Sequence, residues 1–402
     1  MASQLSLPRL PKLSLGLPKL SLGRSSGGRD VVGLDIEPGF VTAATASVNG
    51  CVRISHAVGM PLDIDVVRDG EVLDAVALSD TLRELFHDSH LGRSVRIGLA
   101  NQRTVLRTLD LPPIEDRKEL ASAVRFQAED QVPMPLQNAV LDFHPLGIVD
   151  TPAGPRQRVV LVAAQRDMVE RLMDAARAAG LRPVGVDLAA FAMIRALHRH
   201  EVDGPERLVY LAVGGLTNMA IADGTTCRFT RVLGGGIEPM AISIAARREI
   251  PLTDARQLVL SVGLTQPSRP AAAPRRPVVL DPVNVSPEDA YELQMRAIEN
   301  VPAADPDDDV RSVVANGVRE IAGEVRNSLD FQRAQDDGAP AAAVVLSGPA
   351  LTIPGFTGAL EGELGLPVRA GTVEGAEESS FGLLAAERMT IAAGLAVEQV
   401  PA

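Results

Sequence analysis

Tryptophan is missing from this chain and aromatic residues make up only 3% of it, so any interior must be built from aliphatic side chains. Cysteine is almost as scarce. Cys51 and Cys227 form no C-x-x-C pair and no zinc-ligand set, which excludes a disulfide framework and leaves reduced thiols as the expectation. Positive charge is in deficit as well: the formal net charge is -12, the wrong sign for neutralising nucleic-acid phosphates. No uninterrupted apolar run reaches the roughly 18–20 residues that a membrane-spanning helix needs. Pro and Lys interrupt every apolar stretch near the N-terminus that would serve a signal peptide. The expected location is the cytoplasm, with membrane contact only through partners.

What is present is a long chain with ample means to bury itself. At 402 residues and 46% hydrophobic content, it should divide into two or more lobes. Residues 1–29 stand apart, because L-P-K-L-S-L-G occurs at Leu10–Gly16 and again unchanged at Leu17–Gly23. Proline in each copy rules out a regular helix. The tail is basic through Arg9, Lys12, Lys19, Arg24 and Arg29 and is expected to be disordered or extended when alone, either a solubilising leader or a ligand for a groove.

Hydrophobic periodicity organises the rest. Val31–Ala44 reads as a buried strand ending in Asp35, a turn on Pro38 and Gly39, and a second strand; such a turn can bring backbone N–H groups and one carboxylate to a phosphate. A third strand, a helix over Asp74–His87 and a strand at Val95–Ala100 follow. Thr104–Leu111 is another strand. Asp116 and Glu119 open a helix with Leu120, Val124 and Ala128 on one face, ended by Pro133 and Pro135. Strands at Ala139–Leu146 and Arg158–Ala164 precede a helix capped at Asp167 and stopped at Gly180. Val184–Asp187 is a strand leading into a helix that runs to about His198. Leu208–Ala222 then repeats the strand–glycine turn–strand grammar of the opening. Gln266–Pro282 is a Pro-rich loop, and Asp305–Asp309 a solvated approach to a helix over Arg311–Arg333. A strand at Ala343–Leu346, a helix over Gly358–Leu364 and a last helix over Gly382–Val397 close the chain. His87 with His90, and His198 with His200, read as solvated pairs rather than metal ligands.

Three segments fall into order: Asp35 to Gly39, Val213 to Asn218, and Leu346 to Ala350, with F-T-R-V-L-G-G-G at Phe229–Gly236 between the last two. This order resembles the actin-like ATPase superfamily, a two-lobed α/β fold, with an α/β subdomain inserted in the first lobe. Within it the chain is similar to the PilM family of type IV pilus assembly proteins. The most specific stretch is R-F-Q-A-E-D-Q-V-P-M-P-L-Q-N-A-V-L-D-F-H-P-L at Arg125–Leu146, supported by the A-A-R-A-A-G-L-R-P-V-G-V-D run ending at Asp187 and by E-V-R-N-S-L-D-F at Glu324–Phe331. The resemblance covers roughly Val31–Val397. It implies a first lobe over 30–205 with its insert at about 102–181, and a second lobe over 206–402.

The resemblance also implies a nucleotide site for ATP and Mg²⁺. Asp35 would be the catalytic and metal-positioning acid, with Gly39, Gly214, Gly215, Thr217, Asn218, Gly235 and Gly348 around the nucleotide. Glu324 is either a ribose ligand or an ordinary surface acid. Asp187 either orients an attacking water or caps the following helix. The family pattern breaks at several points: Glu37 and Pro38 stand in the first turn, Thr42 replaces a lysine, Ala212 replaces an acid, and Pro349 lacks an N–H. Weak nucleotide binding, or none, with little hydrolysis is the expectation.

The partner implied is the N-terminal cytoplasmic peptide of a PilN-like inner-membrane protein, carrying an apolar I-N-L-L-P-like segment. Its groove is expected beside the helix Asp116–Asp130 and the strand that helix packs on. Other pilus ring components and self-association complete this scaffold reading. Three alternatives remain open: an active actin-fold ATPase or kinase, an FtsA-like adaptor, and a GspL-like secretion adaptor.

Overall fold

The computed structural model describes residues 31–152, 154–199, 206–264, 307–335, 339–375 and 386–398. The repeated tail, the Pro-rich loop at 266–282, His200 and residues 382–385 of the expected last helix lie outside them.

The first lobe begins with a meander of β1 (Val32–Glu37), β2 (Phe40–Asn49) and β3 (Cys51–Pro61), followed by the two-residue strands β4 (Val67–Arg68) and β5 (Glu71–Val72). α1 (Ala75–His87) starts where the Asp74 carboxylate accepts from the N–H groups of Val76 and Ala77, and β6 (Ser94–Leu99) returns beside β1 in parallel. The chain then leaves for the insert: β7 (Val105–Leu111), α2 (Arg117–Gln131), β8 (Ala139–Thr151) and β9 (Gly154–Gln165). The three strands pair antiparallel in the order β7-β9-β8. Asp116 caps α2, as expected. Leu120, Val124 and Ala128 pack on Leu109, Leu111, Val159 and Leu161 to give the insert its own small core.

α3 (Arg166–Ala178), β10 (Arg182–Leu188) and α4 (Ala189–Leu197) complete the lobe. The expected cap at Asp167 shifts: Gln165 is the N-cap, with no side-chain hydrogen bond, and Asp167 sits in the first turn, where its charge suits the helix dipole. The buried face of α3, including Val169, Leu172, Met173 and Ala176, belongs to the first-lobe core, so the independent core of the insert stops at Ala163.

The second lobe repeats the plan. β11 (Arg207–Val213), β12 (Thr217–Asp223) and β13 (Thr226–Leu233) form a meander; α5 (Ile237–Arg248), α6 (Leu252–Ser261) and α7 (Asp308–Gln335) cover one face; β14 (Ala343–Ser347), α8 (Phe356–Leu364) and β15 (Val368–Ala370) follow. Strand order β10-β6-β1-β2-β3 in one lobe mirrors β15-β14-β11-β12-β13 in the other. β14 lies parallel to β11 as β6 lies parallel to β1, which makes the architectural repeat literal.

The expectation that 206–402 belongs wholly to the second lobe is corrected. β16 (Glu374–Gly375) pairs with β3, and α9 (Thr390–Ala396) packs against β1, β2 and α4 of the first lobe. Two buried arginines hold it there: Arg195 donates to the Gly394 carbonyl, and Arg96 donates to the carbonyls of Leu395 and Val397. Positive charge at a helix C-terminus is favourable in a dry setting. The acidic approach to α7 is not simply solvated either, because Arg248 pairs with Asp307 and Asp309. His198 is likewise buried rather than solvated; its Nδ1 lies 3.0 Å from the Tyr210 hydroxyl.

Candidate functional site

The opening turn and the second glycine turn meet across the boundary between the lobes. β1 is a central strand, buried along nearly its whole length, and it delivers Asp35 and Glu37 to the end that faces the second lobe. Gly39 follows with φ +83°, a conformation that closes the turn and that side chains rarely adopt. From the other side, β11 ends at Val213 and releases Gly214 and Gly215 before β12 begins at Thr217.

Asp35 is only 8% exposed. Burial, with the neighbouring Glu37 charge second, pushes its carboxyl up to about 8. Glu37 is also raised by burial, against the pull of Arg388 and of a backbone N–H. That N–H is Gly215, which donates to Glu37 Oε2 at 2.7 Å. Arg388 lies 3.5 Å from Glu37 Oε1 and stacks on Phe40, 4.4 Å from its ring centroid. Beside them Glu238, buried on α5, is held by Arg256 through bonds of 2.5 and 2.9 Å. Between the turns remains a cavity of about 20 Å³, lined by Asp35, Glu37, Ala212, Gly348, Pro349 and Arg388 among others. That is room for about one water molecule.

The structure gathers Asp35, Gly39, Gly214, Gly215, Asn218 and Gly348 at this point. Thr217 is near in sequence and fully buried, and its hydroxyl has no protein partner; the same holds for Thr42, which sits opposite Asp35 in the β1–β2 pair. Gly235 lines a neighbouring hollow of about 250 Å³ between α5 and α7, with Arg247, Asn316 and Glu320, and this hollow adjoins the second turn, since a Cβ on its Gly236 would fall 2.7 Å from the Gly215 carbonyl oxygen. Glu324 lies apart too, paired at 2.9 Å with Arg231 on β13. Asp187 is committed elsewhere: Oδ2 accepts from Arg195 at 2.5 Å and Oδ1 from the Leu188 N–H at 2.8 Å, in a pair almost fully buried. Glu37, Arg388, Glu238 and Arg256 are the site residues that sequence reasoning passed over as contributors. Only Glu37 carried a signal, as an acid out of place in a phosphate turn.

A larger opening lies between the insert and both lobes. It measures about 510 Å³ and is lined by Thr104–Arg107 at the start of β7, by Leu99 and Leu188 of the first lobe, and by Phe229–Val232 and Phe331 of the second. Both β7 and β13 are edge strands, with no further strand on their outer sides among the described residues. Phe229 and Phe331, two of only nine phenylalanines, stand 6.2 Å apart, and Phe331 is about half exposed. The opening continues past Asn101 and Gln102 into a hollow of about 250 Å³ beside the exposed Leu73, with Arg68 and Arg103. β7 is the strand on which α2 packs; the groove takes in both faces at the start of that strand and Pro133 just past the helix, while no residue of the helix itself lines it.

A family model described as type IV pilus assembly protein PilM matches residues 33–223. Among solved structures, one described as a PilM-PilN type IV pilus biogenesis complex superposes with a TM-score of 0.68 at 22% identity, covering 92% of this chain and 98% of that one. The likeness establishes a shared fold, the two-lobed α/β architecture described above. More distant structures include the ethanolamine utilization protein EutJ from Carboxydothermus hydrogenoformans (TM-score 0.47, 14% identity, 91% and 88% coverage). MreB 5 of Spiroplasma citri bound to AMPPNP is another (TM-score 0.42, 12% identity, 92% and 95% coverage). No curated protein matches the chain significantly.

Proposed function

We propose, from the premise that residues 33–223 belong to the family of type IV pilus assembly protein PilM, that the chain is an adaptor that grips a short peptide of a PilN-like membrane partner. The observation that carries this reading is the groove between β7 and β13. An extended peptide laid along a free strand edge satisfies its backbone through main-chain hydrogen bonds and sends alternate side chains into pockets. The β7 edge offers such a backbone, and Phe229, Phe331, Leu99 and Leu188 offer apolar seats suited to leucine-rich sequence. In this reading the chain sits on the cytoplasmic face and reaches the membrane through its partner; among the described residues no helix is long and apolar enough to cross a membrane. Other ring components and further copies of the chain would assemble around that contact.

The nucleotide site belongs to the same reading as a degenerate one, with little or no hydrolysis. The residues between the turns themselves speak against a triphosphate with Mg²⁺ in this closed arrangement. The cavity between the turns is about 20 Å³, Ala212 supplies no carboxylate, and Pro349 supplies no N–H.

The test is titration of the full chain with a synthetic peptide of the partner's N-terminal cytoplasmic segment, followed by fluorescence anisotropy. Saturable binding is expected, weakened about tenfold by Phe331→Ala, because a truncated aromatic anchor costs on the order of 1–2 kcal/mol. Phe331 is exposed enough for the variant to fold. Equal affinity in both proteins would move the peptide elsewhere on the surface.

A further inference from the structure

In a two-lobed nucleotide clamp the ligand's phosphates bridge the glycine turns, and closure depends on them. Here the turns touch directly. A Cβ on Gly214 would fall 2.1 Å from Glu37 Oε2, and one on Gly215 would fall 2.1 Å from the Pro38 carbonyl oxygen. Only glycine permits such an approach, and what occupies the space between the turns is a carboxylate from the first lobe. Its Oε2 accepts the Gly215 N–H at 2.7 Å across 178 residues of sequence. That is the hydrogen bond a phosphate oxygen would take from an exposed backbone N–H, with a negative charge in the same role.

We propose that Glu37 is a built-in anion that stands in the phosphate position on the second turn and latches the two lobes together without nucleotide.

The surroundings support the latch rather than an accidental contact. Arg388, itself 16% exposed at its side chain, balances the Glu37 charge from 3.5 Å and is fixed by stacking on Phe40. A second tie runs parallel to the first: Arg256 of α6 pairs with Glu238 and also donates to the Leu62 carbonyl in the first lobe at 3.3 Å. Gly39, in the opening turn, lies against this pair, since a Cβ there would sit 2.4 Å from Glu238 Oε2. The lobes are therefore joined by two charge-assisted contacts at the place where a ligand would otherwise join them. The inference rests on reading these turns as a former phosphate site and not on what fills the groove, so its own readouts, Gly215 exchange and ATP affinity, can fail while the wild-type chain still binds the peptide.

Glu37→Ala in the full chain tests it, with Mg²⁺-ATP as the probe and amide exchange at Gly215 as the second readout. Loss of the carboxylate is expected to speed Gly215 exchange about tenfold or more, in line with one charge-assisted hydrogen bond, and to raise ATP affinity by a similar factor over the wild-type chain. Glu37→Gln keeps the side chain's size. It serves where the alanine variant does not fold, and is expected to move both readouts the same way by a smaller factor. Unchanged Gly215 protection together with equal ATP affinity in variant and wild type would overturn the latch.

Discussion

Asp187 shows how a single carboxylate changes role with its surroundings. The family resemblance offers it as a residue that orients water, yet both of its oxygens are taken, one by Arg195 and one by the Leu188 N–H. Arg195 passes the constraint on by donating to the Gly394 carbonyl of α9. Removing one partner of a buried pair leaves the other charge uncompensated, at roughly 3–5 kcal/mol. Asp187→Asn is therefore expected to lower the urea midpoint by that order of free energy, and adding Arg195→Met should restore part of the loss. A stable Asp187→Asn protein that had lost ATP turnover would return the residue to catalysis. In the second lobe, the Arg248 hydrogen bond holds Asp309 at about 2, below the ordinary carboxylate range. A depressed folded value means that the contact stabilises above about pH 4, the unfolded value, and fades as pH falls toward 2. Melting curves of wild type and Asp309→Asn should accordingly differ at pH 7 and converge over that window.

At the scale of elements, close packing decides more than propensity does. α9 is seven residues long and nearly all buried; it falls within the helix expected over Gly382–Val397, but its place in the first lobe is set by contacts hundreds of residues away. A Cβ on Gly33 of β1 would fall 1.8 Å from the Ala392 carbonyl oxygen, so Gly33→Ala must push α9 off the strand. Overpacking of this kind costs about 1–3 kcal/mol and often more where backbone is the obstacle. The contrasting change is Gly323→Ala on α7, where the added methyl meets open space and helix propensity should gain roughly 0.5–1 kcal/mol. Opposite shifts of the urea midpoint are expected, and a Gly33→Ala protein as stable as wild type would mean that the seam yields. The same distinction explains what could be read in the chain. α1, α2 and β1 were legible because cap, stripe and alternation are local. α5 and α6 went unpredicted although Ile237, Met240, Ala241 and Ile244 keep a helical spacing, since neither helix begins with a side-chain cap. The glycine turns were legible as motifs. The ion pair of Glu324 with Arg231 and the contact of Glu37 with Gly215 were not, because they are made between distant segments.

For the whole molecule, the groove and the latch share one hinge. The groove takes its walls from β7, Leu99 and Leu188 on one side and from Phe229–Val232 and Phe331 on the other, so its width follows the angle between the lobes. Asn218 lines both the groove and the small cavity where Glu37 meets Gly215, which places the two within one side chain of each other. A peptide that fits the latched width binds that state preferentially, and linkage then requires the latch to favour the peptide by the same factor as the peptide favours the latch. Coupling of this kind is commonly worth 5- to 150-fold, roughly 1–3 kcal/mol. Saturating peptide is expected to slow amide exchange at Gly215 in the wild-type chain, and Glu37→Ala to weaken the peptide by about fivefold or more although Glu37 does not line the groove. Pairing Glu37→Ala with Phe331→Ala separates the routes. Losses that multiply assign Phe331 to direct contact and Glu37 to the lobe angle, whereas peptide affinity indifferent to Glu37 would make the groove a rigid feature of either state.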